Sequence, residues 1–133
     1  MRLSRKSEYG CLAMIDLAEH YRAKPVNMTD LAKRNSIPKK YLEQILLTLK
    51  RAGYVKSTRG PGGGYELAKL PRRISLADII RLLDGPLAPV ESASKYFYEH
   101  TPVEANKKLI RVFKDIRDYA ARKLEGTHLS DFL

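Results

Sequence analysis

In "SRKSEYGCLAMIDLAEHY", apolar residues fall at Leu12, Ile15 and Ala18, with Cys11 and Met14 beside them. This spacing predicts an amphipathic helix, which Lys24-Pro25 ends. The next segment, "NMTDLAKRNSIPKKYLEQILLTLKRAGYV", predicts two helices joined by a tight turn. Asn27 or Thr29 is suited to cap a short helix running through Arg34, and Asn35-Ser36 turns the chain. Pro38 is expected in the first turn of the second helix, where a missing N–H leaves no partner unsatisfied. Leu42, Ile45, Leu46 and Leu49 line one face of that helix, and Gly53 suits the left-handed residue past its end.

The pattern then becomes strand-like. "YVKST" and "YELAK" flank the loop "RGPGGGY" and predict a β-hairpin. "SLADIIRLLDG" predicts a short helix with a capping box between Ser75 and Asp78, stopped by Gly85-Pro86. Residues 86–100 read as irregular, with a helical turn expected near "SKYFYEH". The longest helical pattern is "TPVEANKKLIRVFKDIRDYAARKLEG". Thr101 is expected to cap it, with Pro102 at its first position, Glu104 closing the box and Gly126 at its end. Its apolar residues Leu109, Phe113, Ile116, Ala120 and Leu124 follow steps of 4, 3, 4 and 4. Such a stripe fits a seam between two helices, and it fits a protomer's own core equally well. The expected fold class is mainly α with a small β-hairpin.

The charge distribution divides the chain. Residues 1–75 hold 16 Lys and Arg against 6 Asp and Glu, while residues 76–133 hold 9 of each. The whole formal net charge of +10 therefore sits in the first part. A basic unit joined to a neutral one points to a polyanion-facing part and a part with another task. We expect a DNA-binding domain at 1–75. Residues 76–133 would form a connecting helix, an effector or variable segment and a dimerisation helix. With 133 residues and no apolar run of membrane-spanning length, a cytoplasmic protein is expected. The start "MRLSRKSEYG" lacks the apolar stretch of a signal peptide.

The two helices around Asn35-Ser36 carry the strongest chemical signal. Ala32 allows close passage, and Ile37 is placed to plug the angle between them. The opposite face of the second helix offers Lys39, Lys40, Tyr41, Glu43, Gln44 and Thr48, donors and acceptors suited to base edges or phosphates. A hairpin after two such helices is the order of a winged helix. Arg59 opens the hairpin tip, and Gly60, Pro61, Gly62, Gly63 and Gly64 complete it. These glycines form no nucleotide-binding loop. A P-loop requires Lys-Ser or Lys-Thr after its last glycine, and the third glycine of a dinucleotide fingerprint falls on Tyr65. Tight turning and close backbone approach remain as their purpose. No nucleophile–base pair, carboxylate pair or metal set supports an enzyme. Cys11 is the only cysteine and reads as a core thiol. His20, His100 and His128 lack metal-ligand spacing and read as surface or capping residues.

Several segments together resemble the Rrf-two family of bacterial winged-helix transcription regulators, the IscR, NsrR and CymR-like proteins. They are "LSRKSEYG", "YLEQIL", "RGPGGGYELAK", "ISLADIIRLLDGPLAPVE" and "LSDFL". The resemblance implies a homodimer of repressor type, acting in the bacterial cytoplasm at the nucleoid. Its long C-terminal helix, from about Val103 to Leu124, would pack against the partner subunit. Its second helix would enter the major groove of a roughly palindromic operator, and its wing would reach the minor groove.

Some relatives carry an iron–sulfur cluster on three cysteines in the segment after "GPLAPVE". Here residues 92–108 contain none, and Ser92, Tyr98 and Glu104 fall near those positions. Glu8 matches a position that supplies a non-cysteine cluster ligand in some members; without the cysteines it reads as a structural or solvated carboxylate. No cofactor is therefore expected. Tyr96, Phe97 and Tyr98 read as packing at a dimer seam, or alternatively as the lining of an effector pocket or a docking surface. An alternative function is a regulatory interaction protein whose C-terminal half docks onto a metabolic enzyme.

Overall fold

The computed structural model describes residues 2–133. The chain runs α1 (Arg5–Glu19), α2 (Met28–Arg34), α3 (Lys39–Arg51), β1 (Val55–Thr58), β2 (Gly64–Leu67), α4 (Leu76–Asp84) and α5 (Lys107–Glu125). Single 3₁₀ turns at Pro71–Arg73, Glu91–Ala93, Pro102–Ala105 and Leu129–Phe132 fill the connections. The expected winged helix-turn-helix is present, followed by one long helix.

Local chemistry explains most boundaries. Ser4 caps α1 by accepting from the Ser7 N–H, and Asn27, not Thr29, caps α2. Pro38 sits one residue before the α3 helix, at φ −57° and ψ 130°, and not inside its first turn. The end of α3 is a Schellman motif: Gly53 (φ +85°) donates to Lys50 O and Tyr54 to Leu49 O. The capping box of Ser75 and Asp78 opens α4 as expected.

The core gathers Met14 and Leu17 of α1, Leu31 of α2, Leu42, Ile45, Leu46 and Leu49 of α3, and Ile79 of α4. Burying each such side chain contributes about 1.5–3 kcal/mol. Leu12 points outward and is exposed; the inward face of α1 is Ala13, Met14, Leu17 and Ala18. Gly10 lets α1 and α4 meet closely, since a Cβ there would lie 2.4 Å from Leu83 Cδ1. Leu129 returns to the same core, with its N–H donating to Ile74 O and the Leu76 N–H donating to Thr127 O. The core is therefore continuous across residue 75.

Asp16 fixes the helix-turn-helix onto α1. Arg34 Nε and Nη2 reach its carboxylate at 3.0 and 2.8 Å, and Asn35 Nδ2 reaches it at 2.8 Å. Burial pushes this carboxyl up, but the bonds from Arg34 and Asn35 outweigh it and hold it below the usual range. A carboxyl depressed in the folded state contributes stability above its unfolded value. That contribution is lost only as the pH falls through the folded value, so the link persists at neutral pH.

The C-terminal half departs from expectation in two places. "SKYFYEH" forms no helix. The long helix starts at Lys107, capped by Asn106, whose side chain accepts from the Leu109 N–H. Thr101 makes no side-chain cap, and Pro102–Ala105 is a separate 3₁₀ turn. Glu104 is drawn instead to Tyr98 and His100.

Candidate nucleic-acid interface

The apolar stripe of α3 fixes which residues face outward. With Leu42, Ile45, Leu46 and Leu49 buried, Lys39, Lys40, Tyr41, Glu43 and Gln44 are exposed together. Thr48 is half-buried and donates its hydroxyl to Gln44 O at 3.1 Å, which leaves it an acceptor for a ligand. Leu47 is exposed on this face as well. An exposed leucine one turn from Gln44 provides an apolar contact of the kind that reads a thymine methyl. Its signal in the sequence was an apolar residue lying off the buried stripe.

The turn before α3 is tight. Ile37 is buried, and its N–H donates to Ala32 O at 2.9 Å. Behind α3, Lys50 Nζ donates to Ser57 Oγ at 2.8 Å and ties the helix to the hairpin.

The four glycines of the hairpin tip do different things. Gly60 has φ +100°, and its carbonyl accepts from the Gly63 N–H at 2.9 Å, closing the tip around exposed Pro61. A Cβ on Gly63 would lie 2.1 Å from Thr58 O, and one on Gly64 would lie 2.4 Å from Val26 O. Gly62 has open space around it. Val26 and Tyr65 exchange backbone hydrogen bonds at 2.9 and 2.8 Å. This bridge gives the hairpin a third partner that sequence periodicity missed. Arg59 is exposed at the tip and has no ion-pair partner among the described residues.

On α5, the expected stripe divides between two environments. Phe113, Ala120 and Leu124 are half-buried, and Leu124 packs on the cluster of Ala77, Ile80 and Leu87. Leu109 and Ile116 face outward with Val112 and Tyr119, each between 42% and 69% exposed. These four follow 3, 4, 3 spacing, the spacing that coiled-coil seams use. Tyr96, Phe97 and Tyr98 are exposed and join no hydrophobic core cluster among the described residues. Arg81 lies over the Tyr96 ring at 4.9 Å.

The residues near the expected cluster positions bond one another. Ser92 Oγ lies 2.5 Å from Thr101 Oγ1, and Tyr98 OH donates to Glu104 Oε1 at 2.6 Å. The Tyr98 hydrogen bond, with help from His100, holds the Glu104 carboxyl below its ordinary range. A hydroxyl, a phenol and a carboxylate already engaged in this way do not fit an iron–sulfur cluster, which is held by thiolates. Cys11 lies on α1, half-buried and not fully in the core; burial, with the Asp84 charge, pushes its thiol up to about 11. It is therefore protonated at neutral pH and a poor ligand or nucleophile. Among the described residues, no three His, Cys, Asp or Glu side chains group as a metal site, and no helix is long and apolar enough to cross a membrane.

A helix-turn-helix with a polar, cation-flanked second helix, tied to a glycine-tipped hairpin, defines the winged-helix class of DNA-binding transcription regulators. The chain belongs to the Rrf2 family, whose model, described as an iron-dependent transcriptional regulator, matches residues 3–133. It is 44% identical over 131 residues to the HTH-type transcriptional regulator CymR of Bacillus subtilis, covering 98% of this chain and 88% of that protein. The solved structure of B. subtilis CymR, described as the global cysteine regulator, superposes with a TM-score of 0.78 at 37% identity, covering 98% of this chain and 95% of that one. That of T. potens IscR gives 0.71 at 35% identity, covering 98% and 85%. The chain is therefore a helix-turn-helix transcriptional regulator of the DNA-binding class.

Proposed function

We propose that the protein is a homodimeric, sequence-specific repressor of the bacterial cytoplasm, with residues 1–75 facing DNA and α5 joining the protomers. The observation that carries this reading is the exposed face of α3, with Lys39 and Lys40 at its start, coupled through Lys50 and Ser57 to a wing whose Arg59 forms no ion pair among the described residues. In it, α3 reads bases in a major groove, and Arg59 enters the adjacent minor groove, where a guanidinium is favoured by the negative potential. Its likeness to a protein described as a global cysteine regulator makes genes of cysteine supply the place to seek operators. Gln44→Ala should lower operator affinity about 10- to 100-fold while leaving binding to scrambled duplex nearly unchanged. Arg59→Ala should lower operator affinity about tenfold without changing the melting temperature. Equal losses of Gln44→Ala on both duplexes would reduce the protein to a nonspecific basic module, and unchanged Arg59→Ala binding at moderate salt would remove the wing from the interface.

We also propose that the chain works without an iron–sulfur cluster. Protein purified without oxygen should be colourless; a charge-transfer absorption with stoichiometric iron would refute this. A second reading has its own observation, the exposed aromatics Tyr96, Phe97 and Tyr98. They supply a docking surface for a metabolic enzyme or a site for a small-molecule effector that controls DNA binding. Under this reading, Tyr96→Ala with Phe97→Ala lowers enzyme capture and leaves operator affinity intact. Capture equal to wild type removes the docking role.

A further inference from the structure

The start of α1 lies beside the proposed reading helix. Lys6 of α1 lines the same indentation as Lys40, Tyr41 and Gln44 of α3, a space of about 220 Å³. Tyr9, one turn further along α1, meets Tyr41 edge to face, with ring centroids 5.9 Å apart and planes at 69°. Arg5 Nη1 lies 3.5 Å from the Tyr9 hydroxyl, at the outer limit of a hydrogen bond. Contact through Tyr9 therefore sets the height of Arg5 and Lys6 relative to the base-reading side chains.

The chemistry of these two cations is that of phosphate contacts. Both are exposed, and neither forms an ion pair among the described residues. The acids nearby are Glu8, which acts on Arg5, and Asp84, which Lys6 helps to keep ionised. Asp84 is already occupied by the Ser4 N–H at 2.9 Å and by the Ser4 hydroxyl. Of the backbone N–H groups at the start of α1, that of Ser7 donates to Ser4 Oγ and that of Glu8 to Ser4 O. What remains is a pair of flexible cations on the flank of α3, with an open rim between Lys6 and Lys40.

We propose that Arg5 and Lys6 bind the phosphate backbone of the duplex beside the groove that α3 enters, adding a third contact element to α3 and the wing. This rests on the reading that α3 faces DNA. Phosphate contacts carry no sequence information directly, so these residues supply affinity and orientation but not base preference. Each phosphate neutralised contributes about 0.9 to the salt slope of binding.

The test is a salt titration of binding to a duplex of about 30 base pairs, spanning two half-sites. Its sequence is obtained by selection from random DNA, and a scrambled duplex runs alongside. In the dimer, Arg5→Ala with Lys6→Ala removes four cations, so the slope of log affinity against log salt should fall by about 3 to 4. The ratio of affinities for selected and scrambled duplex should stay as in wild type. Lys107→Ala with Lys114→Ala removes as many charges beside Glu104 and Asp115, and should leave the slope unchanged. Gln44→Ala is measured in parallel. If it loses discrimination while the Arg5/Lys6 variant keeps the wild-type slope, this inference fails and the α3 reading stands. If Gln44→Ala is also without effect, both fail. A collapse of discrimination in the Arg5/Lys6 variant, or an equal slope change in the Lys107/Lys114 variant, likewise overturns the proposal.

Discussion

Ile116→Glu is expected to leave the protomer folded, to abolish the dimer and to eliminate operator binding at physiological salt. Ile116 is 42% exposed in the protomer, within the outward stripe of Leu109, Val112 and Tyr119. Its loss therefore removes little from the protomer's own core, and circular dichroism should be unchanged. Across a two-fold seam the same residue recurs on both helices. The substitution removes two buried side chains, each worth about 1.5–3 kcal/mol, and places two carboxylates in the seam. Dimer affinity should fall at least about a thousandfold, and a monomer engages only one half-site. Sedimentation should show a monomer at micromolar concentration. A dimer of undiminished affinity would mean that α5 does not join the protomers.

Gly64→Ala is expected to be strongly destabilising, and Gly62→Ala nearly silent. At Gly64 a Cβ would lie 2.4 Å from Val26 O and 2.8 Å from the Asn27 N. Those are backbone atoms, which cannot swing aside as a side-chain end can. Relief requires opening the Val26–Tyr65 bridge that anchors the hairpin beside α2. The cost should be about 2–3 kcal/mol of folding stability, with a matching loss of DNA affinity as the wing is displaced. At Gly62 no atom lies within 4 Å of the added methyl, so stability should change by less than about 0.5 kcal/mol. Denaturant unfolding of both variants reads the contrast, and equal stabilities would contradict the placement of the tip against Val26.

These cases also show which parts of the structure local sequence could convey. The stripe of α3, the left-handed Gly53 and the box of Ser75 and Asp78 each depend on residues within one or two turns, and they formed as their spacing implied. The face of α3 that carries Lys39, Lys40, Tyr41, Glu43 and Gln44 followed from the same stripe. The Val26–Tyr65 bridge did not, because two single residues far apart in sequence have no periodicity. The start of α5 was obscured by competing signals. Thr101-Pro102 with Glu104 imitates a capping box, but Glu104 bonds Tyr98 and His100, and Asn106 caps the helix instead. One apolar pattern on α5 also serves two surfaces. Leu124 meets its own chain, while Leu109 and Ile116 point away from it, and periodicity cannot separate these roles. The flank of Arg5, Lys6 and Tyr9 was invisible for a related reason, since only the packing of α1 places it beside α3.

In the proposed function, α3 and the wing select particular DNA sequences. Genome-wide mapping of DNA bound by the protein tests it most directly. The expected result is a small set of discrete sites sharing a two-fold-related sequence, with half-sites about one helical turn or a multiple of it apart. The preference over random duplex should be about a thousandfold or more at physiological salt, and it should collapse in Gln44→Ala. Uniform coverage of the genome, with no shared sequence and no effect of Gln44→Ala on the pattern, would contradict it.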